Sequence, residues 1–176
     1  MYEVEESIPT DGRSRRRAPP PKKNTKKPSA ASQQSWKKIP HEAIFAWPIT
    51  RKQFWLSSPF GPRKKPNGTR GFHYGIDMAA VRGTPVKAAG PGVVIEACYM
   101  SGYGNTIVIS HNKKFKTRYA HLAKIMVRRG QTVEQGAIIG KVGDTGSVRK
   151  RGKDASHLHF EVSVFGKQVN PCCYLA

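Results

Sequence analysis

Acidic residues are scarce in this sequence, and their scarcity sets its charge. Eleven Asp and Glu stand against 31 Lys and Arg among 176 residues, which gives a formal net charge of +20. A chain this basic favours polyanionic surroundings such as nucleic acid, anionic lipid or an acidic polymer. The charge carries no information about the fold, which has to be predicted from the apolar pattern.

Cysteine and long apolar runs are sparse as well. The cysteines are Cys98, Cys172 and Cys173, an odd number without a CxxC pair, which supports neither a disulfide framework nor a thiolate zinc site. No apolar run approaches the ~18 residues of a membrane-spanning helix, so no membrane span is expected. Three of residues 1–6 are Glu and no apolar segment follows them, so no signal peptide is visible.

Helical periodicity is also missing, because no stretch of about 12 residues repeats its apolar side chains every three to four positions. Short runs rich in β-branched residues occur instead, separated by Gly, Pro and Asn. They lie at 93–95, 106–109, 119–122, 137–139 and 159–162. This pattern predicts an all-β fold, a mainly antiparallel sheet of barrel-like form.

The chain divides by composition into an arm, a connector and a domain. Residues 1–40 are basic and Pro-rich with almost no aliphatic side chains, which predicts a disordered arm. Residues 41–56 are assigned to a connector and 57–176 to the folded domain. The arm is interpreted either as a basic segment that binds polyanions or as a linker without a binding role.

Histidine and aspartate recur at even spacing in two places. His157 and His159 lie on one face of a strand whose other face carries Leu158, Phe160 and Val162, since side chains alternate along a strand. A second pair, at 73 and 77, also shares one side, whether the segment is a strand or a helix, and the glycine at 75 favours a strand. Two imidazoles and a carboxylate can hold a catalytic zinc ion with one position left open. Taken singly, each histidine has the alternative of being an ordinary surface or hydrogen-bonded residue.

Further blocks follow one another in a fixed order along the last two-thirds of the chain. They read SSPFGPR (57–63), FHYGIDMAA (72–80), GTPVKAA (83–89), GYGN (102–105), YAHL (119–122), GDTG (143–146) and HLHFEV (157–162). This series resembles the lysostaphin/LytM-type zinc endopeptidases, which are bacterial cell-wall hydrolases. The resemblance is specific because many blocks match in order.

The resemblance implies a role for each matching residue. His73, Asp77 and His159 match the ligands of one Zn²⁺ per chain, and His121 and His157 match the pair of catalytic histidines that do not bind the metal. A water molecule activated by the zinc then attacks a peptide bond in a cross-link or stem peptide of peptidoglycan. Glu161 is expected beside the site rather than as a ligand. The cell envelope is the location expected from the family.

Two alternatives and one departure accompany this prediction. Some proteins of the same fold are non-catalytic regulators that activate another wall hydrolase, usually after loss of a ligand or catalytic residue. Specific nucleic-acid binding is not expected, because the aromatic residues are scattered rather than grouped as a stacking platform. The departure is a basic loop, 147–156, longer than the family's usual link. Its Arg149, Lys150 and Arg151 are interpreted either as contacts to anionic wall polymers, shared with the arm, or as a solvated loop.

Overall fold

Short strands joined by tight turns make up the computed structural model, which describes residues 44–64, 69–148 and 154–176. The strands are β1 Trp55–Ser58, β2 Gly61–Lys64, β3 Arg70–His73, β4 Ile76–Ala79, β5 Pro85–Lys87, β6 Gly92–Met100, β7 Gly104–Ser110, β8 Phe115–Ile125, β9 Thr132–Val133, β10 Ile138–Val142, β11 His157–Val164 and β12 Lys167–Val169. Two 3-10 turns, Arg51–Gln53 and Pro171–Cys173, are the helical elements of these described ranges.

One antiparallel sheet holds most of the strands. Its path runs β1-β4-β11-β8-β7-β6-β9, while β10 pairs with β5 and β8, and β12 pairs with β11. Strands β2 and β3 form a separate hairpin. The predicted all-β, mainly antiparallel class is therefore confirmed, and each predicted apolar run falls within a strand or overlaps one. Among the described strands the sheet does not close into a barrel, because its end strands β1 and β9 do not pair with each other.

Strand β11 separates the core from the face that carries the candidate site. Leu158, Phe160 and Val162 are fully buried on one face, as the alternation predicted. The residues between them point to the other face, toward a cleft. Phe160 packs against the fully buried Tyr119 of the adjacent β8, with ring centroids 5.3 Å apart. Apolar burial on one face thus fixes which way the polar residues of β11 point.

The segment before β1 packs on the domain. Phe45 and Ile49 are buried, and Phe45 bridges to Leu175 near the end of the chain. The predicted arm, 1–40, and the central residues of the basic loop, 149–153, lie outside the described residues, so the interpretations of both stay predictions. Over the described ranges, the search for a helix long and apolar enough to cross a membrane found none.

Candidate functional site

The first two metal-ligand candidates along the chain, His73 and Asp77, lie on two strands rather than one. His73 is the last residue of β3, and Asp77 is the second residue of β4. The single strand expected through 73–77 is therefore wrong: the chain bends at Tyr74 and Gly75, because β3 pairs with β2 whereas β4 enters the main sheet. The two side chains still meet, with His73 Nε2 3.1 Å from Asp77 Oδ1.

Gly75 allows this bend to lie against the second histidine motif. A Cβ atom at this position would lie 2.5 Å from the backbone oxygen of Phe160 and 2.8 Å from Cε1 of His159. Real Cβ contacts are not that short, so a side chain here would push β11 or the imidazole away. Because Gly75 has no side chain, the link between β3 and β4 can lie close to His159.

Strand pairing brings the third candidate into the same place. His159 and Asp77 are directly opposite each other in the β4–β11 pair. Nδ1 of His159 lies 2.8 Å from Oδ1 of Asp77 and 3.1 Å from Nε2 of His73. One oxygen and two ring nitrogens from three strands therefore converge, and among the described residues they form the group able to hold a metal ion.

The outer nitrogens of both imidazoles are already engaged. His73 donates its Nδ1–H to the carbonyl oxygen of Pro59 at 2.8 Å, and His159 donates its Nε2–H to the carboxylate of Glu161 at 3.0 Å. Each ring therefore turns a lone pair inward, toward the other ring and toward Asp77. Two inward lone pairs and a carboxylate need a cation between them, either a metal ion or a proton.

The pKa values in this cluster reflect the same arrangement. Burial raises the pKa of Asp77, but the hydrogen bonds that His159 and His73 donate when the cluster holds a proton outweigh it and hold that pKa well below its ordinary value. Burial lowers the pKa of His159, whereas the hydrogen bonds to Asp77 and Glu161 raise it, and the net direction is upward. The cluster is therefore built to hold positive charge at its centre.

Glu161 is the centre of a buried network behind His159. Its Oε1 accepts from His159 and, at 3.0 Å, from the Tyr103 hydroxyl, while its Oε2 accepts from the Arg118 guanidinium at 2.9 Å. Arg118 also lies over the Tyr103 ring, 4.7 Å from the centroid. Burial raises the pKa of Glu161, but the His159 hydrogen bond and the Arg118 charge hold it below its ordinary value. The carboxylate therefore fixes which nitrogen of His159 carries the hydrogen.

His121 and His157 lie together beside the cluster. Their ring centroids are 4.8 Å apart, and Nε2 of His157 lies 3.9 Å from Oδ1 of Asp77. Each donates its Nδ1–H to a backbone carbonyl, that of Thr145 for His121 and that of Ala155 for His157, both at 2.8 Å. Each ring therefore presents a free Nε2 that can accept a proton.

His121 is held in an unusual backbone conformation. Its φ is +59°, a left-handed value that side-chain-bearing residues rarely adopt. Its backbone N–H donates to the Tyr103 carbonyl at 2.8 Å, and its ring is held by Thr145, so contacts on both sides stabilise the strained residue. Burial lowers the pKa of His121 to about 4, which keeps the ring neutral at pH 7. Strain held by surrounding contacts is a common feature of functional sites.

An open cleft of about 880 Å³ gives access to all five side chains. Arg63 and Lys64 line one part of it, and Arg63 lies 3.8 Å from Oδ2 of Asp77. Exposed aromatic residues, among them Trp55 and Tyr74, line the same cleft. A cleft of this size, with a polar cluster at its floor, can admit an extended chain of several residues.

Three residues that support the histidines, directly or through Glu161, were not expected from the sequence. Tyr103 and Thr145 lie in the matching blocks GYGN and GDTG without an expected role, yet Tyr103 supports Glu161 and Thr145 orients His121. Arg118 was not singled out, although it faces Glu161 in the β8–β11 pair. Arg118 could be identified by its charge, which is opposite to that of Glu161 across the strand pair. That inference requires the register of β8 against β11 to be known.

The chain resembles known proteins both in sequence and in structure. The model of Peptidase family M23 matches residues 71–171. The peptidoglycan DD-endopeptidase ShyA of Vibrio cholerae is 42% identical over 117 residues, which are 65% of this chain and 26% of that protein. The chain therefore aligns with about a quarter of the length of this relative.

Two solved structures agree with that match. A zinc-containing peptidase from Vibrio cholerae superposes with a TM-score of 0.66 at 40% identity, covering 73% of this chain and 39% of the other. The catalytic domain of lysostaphin, an antimicrobial peptidase from Staphylococcus simulans, gives a TM-score of 0.59 at 34% identity, covering 68% and 90%. The resemblance inferred from the sequence blocks is confirmed, and the chain belongs to peptidase family M23.

Proposed function

We propose that this protein is a zinc-dependent endopeptidase that hydrolyses peptide bonds in bacterial peptidoglycan, in cross-links or stem peptides. The observation that carries the proposal is the convergence of His73 Nε2, Asp77 Oδ1 and His159 Nδ1 within 2.8–3.1 Å of one another. His121 and His157 lie next to this group on an open cleft. These two histidines are proposed as the catalytic pair, and the three converging residues as the zinc ligands.

The three converging residues fit zinc by type and by spacing. Imidazole nitrogen and carboxylate oxygen bind Zn²⁺ at about 2.0–2.2 Å, so two ligand atoms of a tetrahedron lie roughly 3.3–3.6 Å apart. The observed separations of 2.8–3.1 Å are slightly shorter, so the side chains need to part only a little to admit an ion. Three protein ligands are also the number found in catalytic zinc sites, which keep an open position.

When bound, zinc supplies a Lewis acid for a peptide carbonyl and lowers the pKa of a water molecule. The rest of the chemistry falls to the protein side chains. Arg63, 3.8 Å from the outer oxygen of Asp77, adds a positive charge at the ligand carboxylate. Glu161 keeps the hydrogen of His159 on Nε2, which leaves Nδ1 available as a ligand.

The catalytic pair supplies proton transfer and hydrogen bonding. Because the Nδ1 atoms of His121 and His157 are both occupied by backbone carbonyls, proton exchange takes place at the two Nε2 atoms facing the cleft. Neutral His121, with its pKa lowered to about 4, presents a proton acceptor at pH 7. Once protonated, either Nε2–H can donate to the oxyanion of the tetrahedral intermediate or to the leaving amine.

Peptidoglycan as the substrate is supported by relatives and by the charge of the cleft. The relative named a peptidoglycan DD-endopeptidase is 42% identical over 117 residues, and the family model covers residues 71–171, which include all five site residues. Arg63 and Lys64 line the cleft and suit the free carboxylates of stem peptides. Because this substrate lies outside the cytoplasm, we also propose that the protein acts in the cell envelope.

The site favours an enzyme over the non-catalytic regulator. A regulator of this fold usually lacks a ligand or a catalytic residue, whereas here all five positions are filled and their side chains meet. No contact among the described residues obstructs the free nitrogens of the catalytic pair. An enzyme is therefore the proposal that uses every feature of the cleft.

Degradation of purified sacculi tests the proposal. Wild-type protein loaded with zinc is expected to release soluble muropeptides, and a chelator is expected to stop the release. His121→Ala and His157→Ala should each abolish release with zinc still bound, whereas His159→Ala should lose the metal. Tyr99→Thr, at an exposed residue outside the cleft, is the control and should retain activity. Release that persists in both catalytic-pair variants would refute the assigned roles.

A further inference from the structure

The turn between β11 and β12 carries an exposed phenylalanine in an unfavourable conformation. Phe165 has a φ of +49° and is followed by Gly166 at +78°. The side chain of Phe165 is 73% exposed. Two-residue hairpin turns with positive φ at both positions favour Asn-Gly or Asp-Gly, because a bulky side chain is strained there.

Phe165 therefore contributes little to the stability of the fold. Its ring buries little apolar surface, and its backbone is less favourable than that of Asn at the same position. An exposed apolar side chain at the apex of a hairpin is instead suited to insert into an apolar environment outside the protein. Backbone strain of this kind is a reason to look for a function at the residue.

Four lysines lie in the segments next to this apex. Lys113 and Lys114 lie in the β7–β8 turn, where the Lys114 carbonyl accepts from the Phe165 N–H at 2.8 Å. Lys116 faces Ser163 across the β8–β11 pair, and Lys167 is the first residue of β12. None of the four forms an ion pair with a carboxylate of the described residues. We call Phe165 and these four lysines the lysine tip.

The lysine tip lies at the opposite end of β11 from the metal-ligand cluster. His159 is near the start of the strand, and Val164 is its last residue. Five residues at about 3.3 Å each separate the two positions by roughly 17 Å. A surface that contacts the lysine tip therefore leaves the cleft open.

We propose that the lysine tip docks the protein on an anionic lipid bilayer. The lysines bind the phosphate headgroups, and Phe165 enters the boundary between headgroups and acyl chains. Each lysine near an anionic membrane surface contributes about 1 kcal/mol, which corresponds to roughly a fivefold gain in binding. An aromatic side chain at that boundary adds apolar burial, which a purely electrostatic contact lacks.

A bilayer suits this surface better than nucleic acid. Phe165 is the one exposed aromatic of the tip, whereas single-stranded nucleic acid is bound by successive aromatic platforms. Docking by this end directs the start of β11, with the cleft, away from the membrane. The proposal thus adds an orientation to the proposed function, on which it does not depend.

Co-sedimentation of the full chain with vesicles tests the proposal. Vesicles that contain phosphatidylglycerol are compared with pure phosphatidylcholine vesicles, and only the former should bind the wild type. Replacing the four lysines by Gln should weaken binding roughly 600-fold, which is four factors of about five. The control replaces four other basic residues by Gln, which removes the same charge elsewhere, at Lys124, Arg128, Arg129 and Lys141.

Variants of the aromatic residue separate docking from folding. Phe165→Asn should raise the melting temperature, because Asn is favoured in this turn, yet weaken vesicle binding about tenfold. Phe165→Trp should bind at least as well as wild type, and Tyr99→Thr should bind unchanged. If the two four-residue variants lost vesicle binding equally, the overall charge of the protein would explain the binding, and the proposal would be overturned. Unchanged binding of Phe165→Asn would overturn it in favour of a polyanion contact without membrane insertion.

Discussion

Replacement of Glu161 by Ala is expected to weaken zinc binding without removing any proposed ligand. The carboxylate accepts the Nε2–H of His159 at 3.0 Å, and so leaves Nδ1 free to face the proposed metal position. In the alanine variant the ring can exchange tautomers and rotate. Loss of such a supporting carboxylate lowers metal affinity about 10–100-fold, which is roughly 1.4–2.7 kcal/mol.

The same substitution is also expected to lower the free energy of unfolding of the metal-free protein. Tyr103 and Arg118 lose their acceptors on Glu161, and both are packed against each other behind the site. Buried groups left without a hydrogen-bond partner lower stability by about 1–3 kcal/mol. Arg118 is partly exposed and can recruit water, so the lower half of that range is expected.

Competition with a chromogenic chelator measures the zinc affinity, and denaturant unfolding of the metal-free protein measures the stability. Glu161→Gln retains an acceptor oxygen without the charge and should fall between wild type and Glu161→Ala. Glu134→Ala removes an exposed carboxylate elsewhere and should leave both quantities unchanged. If Glu161→Ala bound zinc as tightly as wild type, the assignment of Glu161 as the residue that positions His159 would be wrong.

Three further changes have defined outcomes. Gly75→Ala should lower the melting temperature and the zinc content, because its Cβ would lie 2.8 Å from Cε1 of His159; thermal melts and metal analysis measure both. Tyr119→Phe should destabilise the protein by about 1–3 kcal/mol in denaturant unfolding, because the Ala89 N–H donates to that hydroxyl at 2.8 Å and would lose its partner. His111 should make the protein less stable in acid: burial lowers its folded-state pKa, so below its ordinary value of about 6.5 the unfolded chain binds more protons. Each pH unit between the two pKa values lowers the unfolding free energy by about 1.4 kcal/mol, measured by denaturant unfolding at several pH values.

Each of these predictions has a contradicting result. A Gly75→Ala variant with full zinc content would show that the β3–β4 link has room to move. Wild-type stability of Tyr119→Phe would mean that the Ala89 N–H finds another acceptor. For His111, the titration of its ring protons by NMR is decisive, and a folded-state pKa at or above 6.5 would refute the stated cause of acid sensitivity.

The local alternation of β11 could be predicted from the sequence, because side chains alternate faces at a fixed period of two. Leu158 and Phe160 are buried, and their neighbours His157 and His159 face the cleft. The pairing of β8 with β11 could not be predicted in the same way. It joins segments about 40 residues apart, and nothing in either segment alone specifies which residue faces Glu161.

His73 and Asp77 show that two side chains can meet as predicted even though the local geometry predicted for them is wrong. They were expected on one side of a single strand, but they lie on two strands with a bend between them. The bend turns the chain so that the two side chains meet. His121 came only from the family resemblance. Its left-handed backbone and its contact with Thr145 depend on a loop 24 residues away, which no local pattern reports.

The most direct measurement for the central claim is a crystal structure of the zinc-loaded protein with anomalous diffraction collected at the zinc edge. One peak per chain is expected, with His73 Nε2, Asp77 Oδ1 and His159 Nδ1 each at about 2.0–2.2 Å from it, and with Nε2 of His121 and His157 facing its open side. A peak bound by other residues, or no peak where these three atoms meet, would contradict it.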